Sequence, residues 1–404
     1  MQNNSIQLNL NEKNIKHKKQ RVSLIIFPIV LLIFMSVINK FQFGVSLTGV
    51  IIPIVMYVCF FIVEKKNITL SISHLICLMF WFFSTISTLI SEIVTPQRDN
   101  ITFLIFTLFF ILCTSVNYNK RELKVILHGY VFVAIFCSAD IIFNFLNGFK
   151  YSWNRYSIYV FNTHRDPNYV SAFILFGLTI ILLELIISKK MKITKKFNSL
   201  IMAMCIILGS LATGSRTSFM FTMIVLIISS IYYFYKRKVS IISIVTVILG
   251  LILITSILKN IVPVTILERL LNFENYSDDI RMTLWKSSFK VFEMNPLIGA
   301  GLGGLNKYLF SIGLFDSHNV YLDILCGQGL IGIILLILMI IQFIRVKKKD
   351  RFIMGMVIFS LFAPLSTING FNTATFWLPM TLCQIMSNYS RKNEGGIYDA
   401  IKNM

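Results

Sequence analysis

Acidic residues are scarce in this chain: 18 Asp and Glu stand against 38 Lys and Arg in 404 residues, and charged residues make up only 14%. A water-soluble domain carries roughly 25% charged residues and hides its apolar ones. A chain that is 56% hydrophobic with a mean hydropathy of +0.74 is excluded from that class. The cysteines lack any pairing pattern. Cys59, Cys77, Cys113, Cys137, Cys205, Cys326 and Cys383 all fall in apolar stretches, without CxxC or zinc-type Cys/His spacing, and read as packing residues. No dense acidic cluster is present, so neither a divalent cation nor another cofactor is expected. The basic run Lys13 to Arg21 is followed by an apolar segment, Val22 to Ile38, with no small-residue cleavage site, which reads as an uncleaved signal anchor. The two halves show no self-similarity, and the longest loop falls late in the chain. The two-half transporter pattern with a central cytoplasmic loop therefore fits poorly. In a membrane protein the basic excess belongs in inner loops, so it carries no nucleic-acid signal.

What is present is a series of long apolar runs. Crossing a hydrocarbon core of roughly 30 Å takes about 20 helical residues. Spans are expected near 22–38, 45–63, 70–91, 101–116, 125–146, 168–188, 199–214, 218–235, 239–258, 319–344, 352–368 and 371–388. The expected fold is thus an all-α polytopic membrane protein with about 12 transmembrane helices. Alternate loops hold about 26 of the 38 basic residues, and Lys and Arg near span ends stay in the cytoplasm. The tail 1–21, the tail 389–404 and the loops at Lys65-Lys66, Lys120 to Lys124, Lys189 to Lys196, Lys236 to Lys238 and Arg345 to Arg351 are assigned there. Residues 259–318 then form one long extracytoplasmic loop between spans nine and ten, with 22–258 and 319–388 as the membrane blocks. In that loop Ile266 to Leu271, and then Ile280, Leu284, Trp285 and Phe289, have helical spacing. Ser277-Asp278-Asp279 suits the start of the second helix and Asn295-Pro296 its end.

Ionisable groups at a membrane are costly, so each needs a partner or a task. On the outer side stand Arg165-Asp166, Arg216 in the turn Thr213 to Ser218, Arg281, His318 and Asp323, with Asp140 near them in span five. Taken singly, Arg216 and Arg281 read as interfacial arginines, and His318 divides evenly between a structural role and that of a general base. Asp140 reads as structurally paired, Glu184 as a side chain reaching out of the membrane, and His74 and His128 as packing or hydrogen-bonding groups; His164 is left open. Asn295-Pro296-Leu297-Ile298-Gly299-Ala300-Gly301 lacks the βαβ setting of a dinucleotide fingerprint and reads first as a close-packing turn, with diphosphate binding as the second option. Tyr151, Trp153, Tyr156, Tyr159 and Trp285 suit sugar stacking, or an interfacial aromatic belt.

In order, Ser215-Arg216, then Asp279-Ile280-Arg281-Met282-Thr283-Leu284-Trp285, then Asn295 to Gly301, then Ser317-His318-Asn319-Val320-Tyr321-Leu322, then Gly327-Gln328-Gly329-Leu330-Ile331-Gly332 resemble the O-antigen polymerase and ligase family of bacterial surface-polysaccharide assembly. The resemblance runs from about 160 to 345. It implies a fold similar to the GT-C class and metal-independent glycosyl transfer at the outer face of the bacterial cytoplasmic membrane. The donor would be an undecaprenyl-pyrophosphate-linked oligosaccharide, for an O-antigen, lipopolysaccharide, capsule or exopolysaccharide. Membrane lipids, a chain-length regulator and a flippase are the partners it suggests. Arg216, Arg281 and His318 match the family's catalytic positions; Arg165, Asp166, Trp285, Gly301, Asn319, Tyr321 and Asp323 complete an expected substrate-binding set. Chemistry agrees: no nucleotide sugar is at hand outside the cell, and a diphosphate leaving group gathers negative charge that arginine is suited to hold.

Overall fold

The computed structural model describes residues 22–38, 47–91, 97–152, 155–160, 163–188, 191–237, 277–368, 370–371, 373–402 and 404. Without water, backbone N–H and C=O groups must be satisfied within the segment, so apolar runs of this length form helices. They are α1 (Ile26–Ile38), α2 (Leu47–Val63), α3 (Ile72–Ile90), α4 (Gln97–Ser115), α5 (Lys120–Leu146), α6 (Pro167–Ile187), α7 (Ile193–Ala212), α8 (Arg216–Arg237), α9 (Ser277–Met294), α10 (Gly304–Ser311), α11 (Val320–Ile344), α12 (Arg351–Phe362), α13 (Ala374–Lys392) and α14 (Gly396–Ile401). Each expected span whose residues are described overlaps one of these helices. Span 239–258 and the apolar piece 266–271 lie outside the described residues. Among the described residues 7 helical segments are long and apolar enough to cross a membrane; the apolar stretches Ile26–Val37, Ile51–Val63 and Asn100–Ser115 of α1, α2 and α4 are shorter.

The helix starts follow from capping chemistry. Asn119 accepts from the N–H of Arg121 and Glu122 to open α5, while Glu122 returns a bond to Asn119 N. Asp166 accepts from Asn168 N with Pro167 at the first position of α6, and Asn319 accepts from Tyr321 N and Leu322 N at the start of α11. Helix α9 begins at Ser277 and stops before Asn295, as the sequence implies. Among the described residues the fold is all-helical, as expected, apart from one short hairpin. Tyr159–Val160 (β1) and Thr163–His164 (β2) pair as a short antiparallel hairpin between α5 and α6.

Long-range hydrogen bonds sort the loops onto two ends of the bundle. At one end Ser23 N donates to Glu122, Thr69 N to Ser115 O, and Lys347 Nζ to Asn393 O. Buried Asp350 there accepts from Ser390 Oγ and from the N–H of Ile397 and Tyr398, which docks α14. Glu184 does not reach out of the membrane as expected. It is 8% exposed and pairs with Lys195 at 2.9 Å, because the α6–α7 turn brings a cation within reach of a carboxylate that would otherwise be desolvated alone. Of the cysteines, Cys59 is exposed, and Cys77, Cys113, Cys137, Cys326 and Cys383 are buried. His74 is buried between Ser71 N and Thr114 Oγ1, and His128 Nδ1 lies 2.8 Å from Lys124 O.

The main core runs through the bundle, with Phe80, Phe103, Phe106, Phe371, Phe376 and Trp377 at its aromatic centre. A second, smaller core of Leu284, Val291, Ala300, Leu305, Leu309, Leu322 and Cys326 seats α9 and α10 against the start of α11. Helix α11 is broken at Gly329, where φ is 63° and ψ −161°. The glycine-rich loop after α9 fills the break: Ala300 N donates to Cys326 O, Gly301 N to Gly327 O, and Leu330 N to Pro296 O. Helix α3 holds the loop from the other side. Ser87 Oγ donates to Ile298 O and Gly327 O, Ser91 Oγ to Ala300 O, and Leu302 N to Thr88 Oγ1.

Candidate active site

The end of the bundle opposite Asp350 carries a cavity of about 210 Å³. Phe173, Leu361, Leu365, Ile368 and Leu378 are among its apolar walls. Arg165, Asp166, Tyr169, Asp316 and His318 stand in the same lining. Pro379 lies within α13 and has no N–H to give the carbonyl four residues before it, that of Thr375; both residues line the cavity. The shape suits an amphiphile with an apolar chain and a charged head.

His318 sits where the chain turns into α11, with φ at +50°. Left-handed backbone is unfavourable for a residue with a Cβ, by roughly 1–3 kcal/mol. The flanking residues impose it. Ser317 is fully buried and donates to Asp323 Oδ1 at 2.6 Å, Asn319 N donates back to Ser317 Oγ, and the Asn319 side chain caps α11. Burial lowers the His318 pKa below 6.5; Asp166 and Asp316 push it up, and Arg281 and Arg155 push it down. The imidazole is therefore neutral near pH 7, the form that can accept a proton.

The charges of Arg281, on α9, and Arg155 thus reach His318, while Arg216 opens α8 directly after Ser215. Of the sequence-predicted residues, Arg165, Asp166 and His318 share the cavity lining. Several of the predicted residues, Arg165 among them, are engaged in holding the frame. Arg165 donates to Val37 O at 2.7 Å and Ser36 O at 3.2 Å, tying the end of α1, and burial lowers its pKa to about 10. Tyr321 Oη donates to Phe362 O, Asp323 holds Ser317, Trp285 packs on the second core, and the Gly301 N–H is bonded to α11. Asp140 accepts from Asn144 Nδ2 and Tyr159 N, as a structural pair would. Tyr156 is buried edge-on to Phe145; Trp153 and the His164 side chain lie outside the described residues.

Sequence reasoning missed Arg155, Asn168 and Asp316. Arg155 Nη2 donates to Asn168 Oδ1 at 2.8 Å, and Ser215 Oγ donates to the same oxygen at 2.8 Å. The signal lay in Asp166-Pro167-Asn168: a helix start beside the arginine-bearing turn 213–216 places Asn168 at that end of α6.

No curated protein matches the chain. Residues 200–337 match a family model described as O-antigen ligase, a stretch that contains Arg216, Arg281 and His318 and ends within α11. That match supports the assignment of this chain to the O-antigen polymerase and ligase family, whose members are membrane glycosyltransferase-like enzymes.

Proposed function

We propose that the protein is a polysaccharide polymerase that transfers an undecaprenyl-pyrophosphate-linked glycan onto a second lipid-linked repeat unit. The reaction takes place at the outer face of the bacterial cytoplasmic membrane, the Asp350 end being cytoplasmic. The observation that carries the reading is His318, held at φ +50° and sharing the lining of one cavity with Arg165, Asp166 and Asp316 and with the apolar residues Phe173, Leu361, Leu365 and Leu378. Arg216 and Arg281 hold the donor diphosphate and the charge that develops on it. His318 takes the proton of the acceptor hydroxyl as it attacks the anomeric carbon, and the lipid diphosphate leaves. Arg165 and Asp166 shape the polar rim.

Purified protein given lipid-linked repeat units should yield a ladder of glycans on a gel. A single attachment to another acceptor, without a ladder, would identify a ligase of the same family. Movement of lipid-linked sugar between leaflets without release of the lipid diphosphate would point to a transporter.

A base must be unprotonated, so activity falls as the pH drops through its pKa. With His318 lowered from 6.5, the acid limb of the kcat/KM profile is expected below pH 6.5. Asp316→Asn removes a charge that favours the imidazolium and should move that limb further to acid. A wild-type limb above 6.5 would remove His318 from the role of base.

A further inference from the structure

Arg155 lies between α5 and β1, in a turn pinned at several points. Tyr151 N donates to its carbonyl at 2.8 Å, its own N–H donates to Ser152 O, and Tyr156 N donates to Ala212 O at the end of α7. Its side chain runs back over Tyr151, with Cζ 6.0 Å from the ring centroid. Nη2 is held by Asn168 at 2.8 Å and Nε reaches Thr213 O at 3.5 Å, next to the turn that presents Ser215 and Arg216. The guanidinium is thereby oriented from three sides, yet Nη1 donates to no acceptor among the described residues.

Nor does Arg155 have a counter-ion in contact among the described residues. The ion pairs among the described residues, Lys66–Glu64 and Lys195–Glu184, are at the opposite end of the bundle. Asp166 favours its charge from a distance, but that carboxylate already caps α6 through Asn168 N, and the charge of Arg281 opposes it. Burial lowers the pKa of the group, although a guanidinium stays charged at any working pH. A half-buried, pre-oriented cation without a carboxylate in contact is costly until an anion completes it. Its planar fork matches phosphate oxygens.

We infer that Arg155 is a third arginine of the site and donates through Nη1 to a diphosphate group that it holds together with Arg281. The inference rests on the lipid-diphosphate donor proposed above and extends it to a residue outside the matched stretch 200–337. Arg155 is a binding residue by this account, oriented by Asn168, Thr213 and Tyr151 beforehand.

The test uses the full chain in neutral phosphatidylcholine nanodiscs, titrated with inorganic pyrophosphate while its melting is followed, since a ligand that binds the folded state raises the transition. Arg155→Gln retains an N–H for Asn168 and loses the charge; Arg155→Lys retains the charge and loses the fork. We expect Arg155→Gln to weaken pyrophosphate binding at least tenfold and Arg155→Lys to fall between, with the unliganded melting of both close to wild type. Should Arg155→Gln bind as wild type does while Arg281→Gln loses binding, the donor reading stands and the role of Arg155 fails. A wild type that binds no pyrophosphate removes both. Glucuronate bound more tightly than pyrophosphate, through Arg155, would overturn the diphosphate assignment in favour of an acidic sugar.

Discussion

Replacement of His318 by alanine is expected to abolish glycan ladders, lowering kcat by about 10²–10⁴ while leaving folded protein and pyrophosphate binding intact. The size of the effect follows from what the residue is asked to do. An acceptor hydroxyl is a poor nucleophile, and His318 lines the cavity with its pKa lowered by burial, which favours the form able to take a proton. The preservation of the fold follows from the backbone. At φ +50° alanine, like histidine, carries a Cβ and a left-handed penalty, so the substitution removes the imidazole at a small added conformational cost. Glycine removes the penalty. His318→Gly should be as inactive as the alanine variant yet melt higher, by the equivalent of about 1 kcal/mol, if loss of strain outweighs the added freedom of the unfolded chain. Arg281→Ala should differ in kind, weakening both donor binding and kcat, because a diphosphate is bound in the ground state and gathers charge in the transition state. Ladders from His318→Ala at more than a tenth of the wild-type rate would show that another group accepts the proton.

Much of the architecture was legible because a bilayer leaves so few options. A run of apolar residues has to be helical, so α6 and α11 begin within a residue of the expected 168 and 319, whereas α5 opens at Lys120 rather than at 125 because Asn119 and Glu122 cap it there. Arg216, Arg281 and His318 also stand out in the sequence as ionisable side chains beside long apolar stretches, and their roles belong to the proposal. Residue type does not tell which way a side chain turns. Arg165, Asn319, Tyr321 and Asp323 look like substrate ligands in a polar rim, and their bonds go to backbone carbonyls, N–H groups and a serine. Glu184 meets a lysine across a helix turn that no helical spacing anticipates. Arg155 is a single arginine in an aromatic loop, and only the turn of the chain past Asn168 makes it part of a site. Gly327-Gln328-Gly329 interrupts the apolar run in the sequence, but hydropathy records solubility and carries no trace of a dihedral angle.

That break gives the largest expected effect on folding. A side chain at Gly329 meets two obstacles at once. Its φ of 63° with ψ of −161° belongs to a region that only glycine populates freely, and a Cβ there would stand 2.3 Å from Leu297 O and 2.4 Å from Leu297 C. The neighbour is backbone, itself held because Ile331 N and Leu330 N donate to the carbonyls of Leu297 and Pro296, so it cannot swing aside as a side chain would. Gly329→Ala should therefore cost about 3–5 kcal/mol from strain and overlap together. In practice this means loss of monodisperse protein in detergent, or a melting transition lowered by many degrees. Gly299→Ala should behave alike, since its Cβ would lie 2.4 Å from Gly327 C at φ +81°. Gly355, inside α12 with nothing within 4 Å of where a Cβ would stand, is the control. There alanine should be neutral or raise stability by up to about 1 kcal/mol. The consequence reaches function through the loop. Residues 295–301 fix the end of α9 against α11, the helix that carries Arg281 against the one that His318 precedes. A partly folded Gly329→Ala protein should thus lose glycan transfer before it loses helix content, as read by circular dichroism. A Gly329→Ala variant that melts and transfers like wild type would mean that the loop does not close the break in α11, and that the register between Arg281 and His318 is set elsewhere.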